Sequence, residues 1–278
     1  MTAPNTLSID VELTNPGQFF ACCGVLELAS RLNDQAVGWF ADGQFSILNA
    51  PQDVVERFLD CEIYEAKQSV KSMEEEDKKS SLRIGSPFNL TLDWWREHEN
   101  PDSGAVDAKL KTWSAGMKVS DVFDATYESK VKKGATTTTY NGLRGWMSQA
   151  VRASPTGWLR DAFPINSPKA FNYDSRLSRN NALDLGHTSG AVFAFSPAID
   201  VLALVGLQRF RPKVLKIWTR NLYFTWRIPL PVDLAAVAAQ GVVPQLIDSE
   251  FEFAMVRRDS KGNYKLVGHA QPVRRSNG

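Results

Sequence analysis

The segment TNPGQFFACCGVLELASRL, residues 14–32, constrains the fold more than any other stretch of the sequence. Asn15 directly before Pro16 is typical of a helix start, because asparagine caps free backbone N–H groups and proline fits the first helical turn. The residues that follow share one apolar stripe at helical spacing, formed by Phe19, Cys22, Cys23, Leu26 and Ala29 or Ser30. Gly24 within this helix costs about 1 kcal/mol relative to alanine, so we expect a close backbone contact at that position.

The remaining apolar patterns predict a mixture of strands and helices. Alternating or short apolar runs predict strands at residues 7–13, 39–40, 44–48, 214–218, 222–228, 250–256 and 264–268. Helical spacing predicts helices at residues 53–68, 106–117, 143–151, 197–207 and 233–239. Ser196 is the expected N-cap of the helix at 197–207. This mixture indicates an α+β fold with antiparallel sheets, packed helices and irregular Arg-rich loops; RRM-like or ferredoxin-like elements are one form that such sheets take.

Charge is distributed unevenly along the chain, although the formal net charge is only +1. Residues 1–126 contain 11 Lys/Arg and 21 Asp/Glu, a net charge of −10. Residues 127–227 contain 15 Lys/Arg and 5 Asp/Glu, a net charge of +10. We therefore divide the chain, as two domains or within one, into an acidic α/β region (1–126) and a basic α+β region (127–278). A basic segment of this size predicts contact with an anionic polymer; pairing of the two regions within the fold is the alternative.

Several classes of protein find no support in the sequence. No run of about eighteen apolar residues is present and the first residues do not form a secretory signal, so we expect no membrane span and no membrane partner. An odd number of cysteines, two of them adjacent, favours a reducing cytoplasm over a disulfide framework. The three histidines (His98, His187 and His269) are far apart, and no zinc, Walker, G-x-S-x-G or dinucleotide motif is present. We predict no metal ion and no cofactor.

The stretch QRFRPK, residues 208–213, follows the predicted helix at 197–207 and carries three cations. At a helix C-terminus, Arg209, Arg211 and Lys213 would each be stabilised by about 0.3–1 kcal/mol through the helix dipole. In an extended chain they would project to one side, with the apolar residues between them on the other. Both geometries leave a cationic cluster where a buried element ends, and we predict a phosphate clamp there.

Two further basic segments extend this predicted nucleic-acid interface. FNYDSRLSRNNALD, residues 171–184, is polar and contributes Arg176, Arg179 and Asn180. The planar guanidinium of arginine suits phosphates and base edges. YESKVKKGATTTTYNGL, residues 127–143, predicts a mobile loop anchored on Lys130, Lys132 and Lys133. Aromatic residues are interleaved with these cations, as in single-strand and flipped-base recognition, although any single ring is more often part of a core.

Three blocks of the sequence resemble a known family. TNPGQFFACCGVLELASRL, FNYDSRLSRNNALDLG and SPAIDVLALVGLQRFRP are similar, in order and spacing, to the small Cas8-type subunits found beside Cas7-like and Cas5-like proteins in type I CRISPR loci of the I-G (formerly I-U) kind. The resemblance covers roughly residues 7–230. It implies a subunit of a Cascade-like surveillance complex for antiviral defence, in which guide RNA reads the target by base pairing and the protein helps to recognise the flanking motif and hold the unwound DNA.

The partners that this resemblance implies are guide RNA, target DNA, and the Cas7-like and Cas5-like subunits, with no catalytic residue in this chain. Two alternatives stay open. His187 with Arg176 or Arg179 could serve a guide-processing endoribonuclease, since one histidine suffices where other groups stabilise the transferring phosphate, but no second acid/base group is evident. A structural adaptor that touches protein only would use its basic region against an acidic partner surface. We expect a cytoplasmic, non-enzymatic nucleic-acid-binding subunit.

Overall fold

The computed structural model describes residues 5–65, 81–93, 112, 119, 127–128, 139–140, 143–154, 157–166, 171–176, 192–216, 220–257 and 265–273. The helices are α1 (Pro16–Leu32), α2 (Val54–Asp60), α3 (Leu143–Ala153), α4 (Pro197–Gly206) and α5 (Val232–Ala239), with a 3-10 turn at Pro244–Leu246. The strands are β1 (Thr6–Asp10), β2 (Val37–Ala41), β3 (Gln44–Leu48), β4 (Ile63–Glu65), β5 (Leu82–Ile84), β6 (Leu90–Leu92), β7 (Tyr127–Glu128), β8 (Thr139–Tyr140), β9 (Phe163–Asn166), β10 (Val192–Phe195), β11 (Lys213–Lys216), β12 (Arg220–Thr225), β13 (Leu230–Pro231), β14 (Ser249–Phe253), β15 (Met255–Arg257), β16 (Lys265–Val267) and β17 (Gln271–Pro272). Helices and antiparallel sheets together confirm the predicted α+β class.

Helix α1 starts where the sequence predicts. Asn15 has an extended backbone, its side-chain Oδ1 accepts a hydrogen bond from the N–H of Gly17 at 3.1 Å, and Pro16 occupies the first helical position. The helix is buried on all sides from Pro16 to Ala29, rather than along one stripe. The residues of the predicted stripe are buried, and burial extends to the other side of the helix as well. Helices buried all round lie inside a protein, so α1 is the central helix.

Two glycines let α1 and α4 touch backbone to backbone. A Cβ atom added at Gly24 would lie 2.1 Å from the carbonyl oxygen of Leu202, and one added at Gly206 would lie 2.0 Å from the carbonyl oxygen of Phe20. Such distances are far below van der Waals contact, so a side chain at either position would force the helices apart. The close backbone contact expected at Gly24 is confirmed.

The first sheet has the strand order β1-β3-β2-β13. Strands β1 and β2 are both antiparallel to β3, so they run parallel to each other and are joined by α1. This arrangement is the split β-α-β unit of ferredoxin-like proteins, although β13 lies beside β2 rather than β1. The β2–β3 turn uses Asp42 and Gly43, both at positive φ, as a two-residue type I′ hairpin requires.

The second sheet has the strand order β11-β12-β14-β17, and the chain passes from it into the first sheet at Trp226. The indole Nε1 of Trp226 donates to the carbonyl of Gly38 at 2.7 Å, and its own carbonyl accepts from the N–H of Phe40 at 2.9 Å. Phe19 of α1 stacks on Tyr223 of β12 and on Phe40 of β2, with ring centroids 4.4 and 5.3 Å apart. Helix α1 therefore packs against both sheets, and its contacts cross the region boundary predicted at residue 126.

Several element predictions require correction. The helix predicted over residues 53–68 ends at Asp60, and Ile63–Glu65 forms β4 because it pairs with β5, a contact distant in sequence. The single strand predicted over 250–256 is two strands in different sheets, interrupted at Ala254. Ser196 occupies the N-cap position of α4, but its hydroxyl donates to the carbonyl of Trp158 instead of capping the helix. The helix predicted at 106–117 and the Thr-rich loop lie largely outside the described residues.

Candidate nucleic-acid interface

Part of the predicted interface lies outside the described residues. This holds for Arg179, Asn180, Lys130, Lys132 and Lys133, and for His187 of the alternative endoribonuclease. Their roles in the site remain predictions from the sequence. The structure describes the other four nominated cations, Arg176, Arg209, Arg211 and Lys213, and it places them in different surroundings.

The QRFRPK stretch is a connection between α4 and β11 in which the fold uses most of the side chains. Gln208 accepts from the backbone N–H of Asp93 at 3.1 Å and donates to its carboxylate at 3.3 Å. Phe210 is fully buried and lies parallel to the ring of Trp226 at 6.4 Å between centroids. Arg211 is half-buried and Lys213 is exposed at the start of β11. The stretch is therefore an anchor for the chain as well as a source of positive charge.

Arg209 is held by two carboxylates, one buried and one exposed. Its Nε donates to Oε2 of Glu27 in α1 at 2.6 Å, and the Glu27 side chain is only 1% exposed. Its Nη1 donates to Oδ1 of Asp233 in α5, whose side chain is 80% exposed. The hydrogen bond to Glu27 raises the pKa of Arg209 above its ordinary value. Glu27 also binds Arg31 at 2.8 Å, so one buried carboxylate is shared by two arginines.

Arg176 is engaged in a second ion pair, whose carboxylate is fully buried. Its guanidinium forms a fork with the buried carboxylate of Asp174, with Nη2 at 2.6 Å and Nε at 3.0 Å from Oδ2. The same carboxylate accepts from the side-chain amide of Asn15 at 2.9 Å and from the backbone N–H of Ser196 at 3.1 Å. Arg176 also donates to the carbonyl oxygen of Arg160. This cluster joins the N-terminus of α1 to the start of α4.

The two arginines do not form one clamp with each other. Arg176 is tied through Asp174 to Asn15, and Arg209 is tied to Glu27, twelve residues further along α1. At 1.5 Å per residue, these two anchor points are about 18 Å apart along the helix axis. Each arginine therefore has its own site, set by a carboxylate that lies far away in sequence.

Strands β11 and β12 bring three cations to one face of their sheet. Lys213 lies opposite Leu222 and Lys216 lies opposite Arg220, with Leu215 as the extra residue of a β-bulge. Residues directly opposite in a sheet share a face, as do residues two apart on one strand. Lys213, Lys216 and Arg220 therefore share a face, and all three are exposed. We call these three residues the basic hairpin face.

The β-bulge creates this face. Lys213 and Lys216 are three residues apart, so a regular strand would place them on opposite faces. The extra residue at Leu215 restores Lys216 to the face of Lys213. Glu252 of β14 binds Arg220 there through two hydrogen bonds of 2.8 Å, which lower the pKa of Glu252. Glu250, two residues before Glu252 on β14, lies on the same face. The two lysines and one arginine exceed these two carboxylates by one charge, so the face carries net positive charge.

A polar network that the sequence did not indicate lies at the N-terminus of α1. His269 contacts the hydroxyl of Ser175 through Nδ1 at 3.0 Å and the carboxylate of Glu12 through Nε2 at 3.4 Å. Ser175 is fully buried, so its hydroxyl is not placed to attack a substrate. The contact joins three segments that are remote in sequence, and no local pattern could have identified it.

Other chemistry is limited in the part of the chain that the structure describes. All three cysteine thiols are unbridged and buried, and burial raises the pKa of Cys22 and Cys61. Among these residues, no group of three or more His, Cys, Asp or Glu side chains is placed to hold a metal ion. None of the helices within the same ranges is long and apolar enough to cross a membrane.

Comparison of the chain with protein-family models, with curated proteins and with solved structures found no match. The resemblance to Cas8-type subunits therefore depends on the three sequence blocks alone, and it stays a prediction. The first block forms α1 and the third forms α4 with the QRFRPK connection, so these two blocks build the packed helix pair at the centre of the fold. The second block is described only for residues 171–176.

Proposed function

We propose that this chain is a non-catalytic, nucleic-acid-binding subunit of a type I CRISPR surveillance complex. In this proposal the protein binds guide RNA or target DNA, including the motif that flanks the target, within the cytoplasm. Cas7-like and Cas5-like subunits are its protein partners. The three sequence blocks support the assignment to this family, and the charge distribution supports nucleic acid as the ligand.

The basic hairpin face is the observation that most strongly supports nucleic acid as the ligand. Lys213 and Lys216 lie on β11, the outer strand of its sheet among the described residues, where a polyanion can approach from the open side. Lysine and arginine gain binding free energy from phosphates by releasing the counterions of the nucleic acid. The face also belongs to the segment of residues 127–227 with a net charge of +10, which attracts a polyanion over a longer range.

The internal ion pairs of Arg176 and Arg209 refine the predicted interface. Arg176 is used by the fold, which favours a positioning role for it. The two lysines of the hairpin face carry the interface instead, together with the nominated residues that lie outside the described ranges. Phosphate contacts of this kind fix position and give affinity, and leave sequence reading to base pairing with the guide.

A salt-dependent binding measurement tests the proposal. The protein, alone and in complex with its coexpressed partner subunits, is titrated into labelled single-stranded RNA and DNA of mixed sequence, with fluorescence anisotropy as the readout. We expect Lys213→Glu with Lys216→Glu to weaken binding by tenfold or more and to lower the slope of log K against log salt by about 1.5, because two phosphate contacts are lost.

A charge-matched variant provides the control. Arg57→Glu with Arg83→Glu makes the same change in net charge on exposed residues of the acidic region. This variant should bind nearly as the wild type does. Equal effects of the two double variants would contradict a local interface, and absence of binding by the wild-type protein and its complex at low salt would remove the proposed function.

A further inference from the structure

The two halves of the Arg209 guanidinium are held with unequal strength. The inner half faces Glu27, which is almost completely buried, at 2.6 Å. A buried carboxylate cannot lose its partner without a large cost in free energy, so this contact fixes the position of the guanidinium. Arg31, on the next turn of α1, also binds Glu27 at 2.8 Å and helps to hold it in place.

The outer half faces Asp233, and this contact is weak by comparison. Asp233 is 80% exposed and Arg209 is 36% exposed, and exposed ion pairs contribute about 0–1 kcal/mol because water competes for both charges. The Asp233 carboxylate can rotate into solvent without exposing any buried group. Leu234, the next residue in sequence, is also about half exposed, so the surface beside this carboxylate is open.

We propose that Asp233 occupies an anion-binding position on Arg209 that a phosphodiester of the bound nucleic acid takes in its place. This inference rests on the proposed function. Glu27 keeps the guanidinium aimed outward, so the arginine loses little conformational freedom when a new anion binds. Its two outward N–H groups then bind phosphate oxygens, for which the planar guanidinium is well shaped.

The choice of a phosphodiester over an acidic peptide follows from the surrounding charge. Arg209 lies four residues before Lys213, the first residue of the basic hairpin face, and the segment from 201 to 227 contains six cations and no acidic residue. Arg220 and Arg227 are already paired with Glu252 and Asp248. A polyanion with regularly repeated charges gains from Arg209 and from the lysines of the basic hairpin face, whereas a single carboxylate partner is already present as Asp233. Displacing Asp233 leaves the cluster of Glu27, Arg31 and Arg209 with one net positive charge that can attract the ligand.

Removing the resident carboxylate tests the exchange. We expect Asp233→Asn to tighten binding of the labelled single-stranded RNA about two- to fivefold, because the competing ion pair contributes up to about 1 kcal/mol. Asp233→Glu, which keeps the carboxylate, should bind as the wild type does. Asp53→Asn is the matched control, since it removes an exposed carboxylate from another exposed arginine, Arg57. Adding Arg209→Gln to Asp233→Asn should abolish the gain.

Three other results of these binding measurements would each contradict one part of the proposal. If Asp233→Asn binds like Asp53→Asn while the Lys213→Glu, Lys216→Glu variant is weakened, the exchange is wrong and the proposed function stands. If polyglutamate binds Asp233→Asn with the same gain as RNA, the ligand is an acidic protein segment and the assignment to nucleic acid is wrong. If neither the wild type nor any Asp233 variant binds RNA, the proposed function and this inference fail together.

Discussion

Arg176 and Arg209 lie at opposite ends of α1 and differ in how much of each guanidinium the fold uses. Arg176 is 19% exposed and binds a carboxylate with no exposure, while its remaining donors reach backbone carbonyls. Arg209 is 36% exposed and gives its outer half to an exposed carboxylate. Two arginines that look alike in the sequence thus have different capacities for a ligand, because both bind a buried carboxylate and only Arg209 also binds an exposed one.

The largest expected loss in the free energy of unfolding comes from a substitution at the Arg176 end of α1. Asp174→Asn removes a charge that balances Arg176 and leaves the donors from Asn15 and Ser196 poorly satisfied. Breaking a buried pair from one side costs about 3–5 kcal/mol, so we expect a loss of that size in the free energy of unfolding, measured in urea. A loss below about 1 kcal/mol would show that the Arg176 end resembles the exposed pair at Arg209.

The pH dependence of stability sharpens the same comparison. Asp200, at the Arg176 end, has its pKa raised to about 7 by burial, against three backbone N–H donors that lower it. Between about pH 4 and pH 7 the folded chain keeps this proton while the unfolded chain has lost it, so the contribution of Asp200 to stability falls as the pH rises. The unfolding free energy of the wild type minus that of Asp200→Asn should therefore decrease over this interval; a constant difference would contradict the prediction.

A change between the two ends tests whether they are mechanically joined. Gly24→Ala places a methyl group against the carbonyl of Leu202, which cannot move without shifting α4. Overpacking of this kind costs about 1–3 kcal/mol. We expect this loss in urea unfolding, together with faster amide hydrogen exchange in both α1 and α4. Faster exchange confined to α1 would mean that the helices move independently.

The smallest effect is expected at the Arg209 end. Asp233→Asn removes an exposed ion pair and a carboxylate in the first turn of α5, so the free energy of unfolding should change by less than about 2 kcal/mol. The change should shrink further at high salt, because screening weakens the pair in the wild type. Thermal and urea unfolding at two salt concentrations measure it. A loss as large as that of Asp174→Asn would remove the distinction between the two arginines.

Local signals in the sequence were sufficient for much of the fold. Asn15 with Pro16 correctly placed the start of α1, and the apolar run after Pro197 correctly placed α4, because capping and helical spacing act between near neighbours. The strands predicted at residues 39–40 and 44–48 correspond to β2 and β3, because short apolar runs are also a local signal. The helix predicted over residues 53–68 is confirmed for Val54–Asp60, and it was wrong for Ile63–Glu65 because pairing of β4 with β5 overrides local helical spacing.

The surroundings of the candidate site could not be read from neighbours in sequence. Glu27 precedes Arg209 by 182 residues, and Asn15 precedes Asp174 by 159. Whether a cation is free or paired depends on such distant contacts. The bulge at Leu215 is also a tertiary feature, and without it Lys213 and Lys216 would not be assigned to the same face.

The helix pair of α1 and α4 has a consequence for how the chain is made. Gly206 follows Leu32 by 174 residues, so at about 5–20 residues per second α4 is completed roughly 9–35 s after α1. During that interval the central helix α1, which is buried on all sides in the folded chain, lacks the helix that packs against it. Nascent chains arrested before residue 197 should therefore be protease-sensitive and bound by chaperones, and protection should begin only once α4 has left the ribosome. Helix α1 is therefore synthesised early in the chain and is covered by its partner α4 only late.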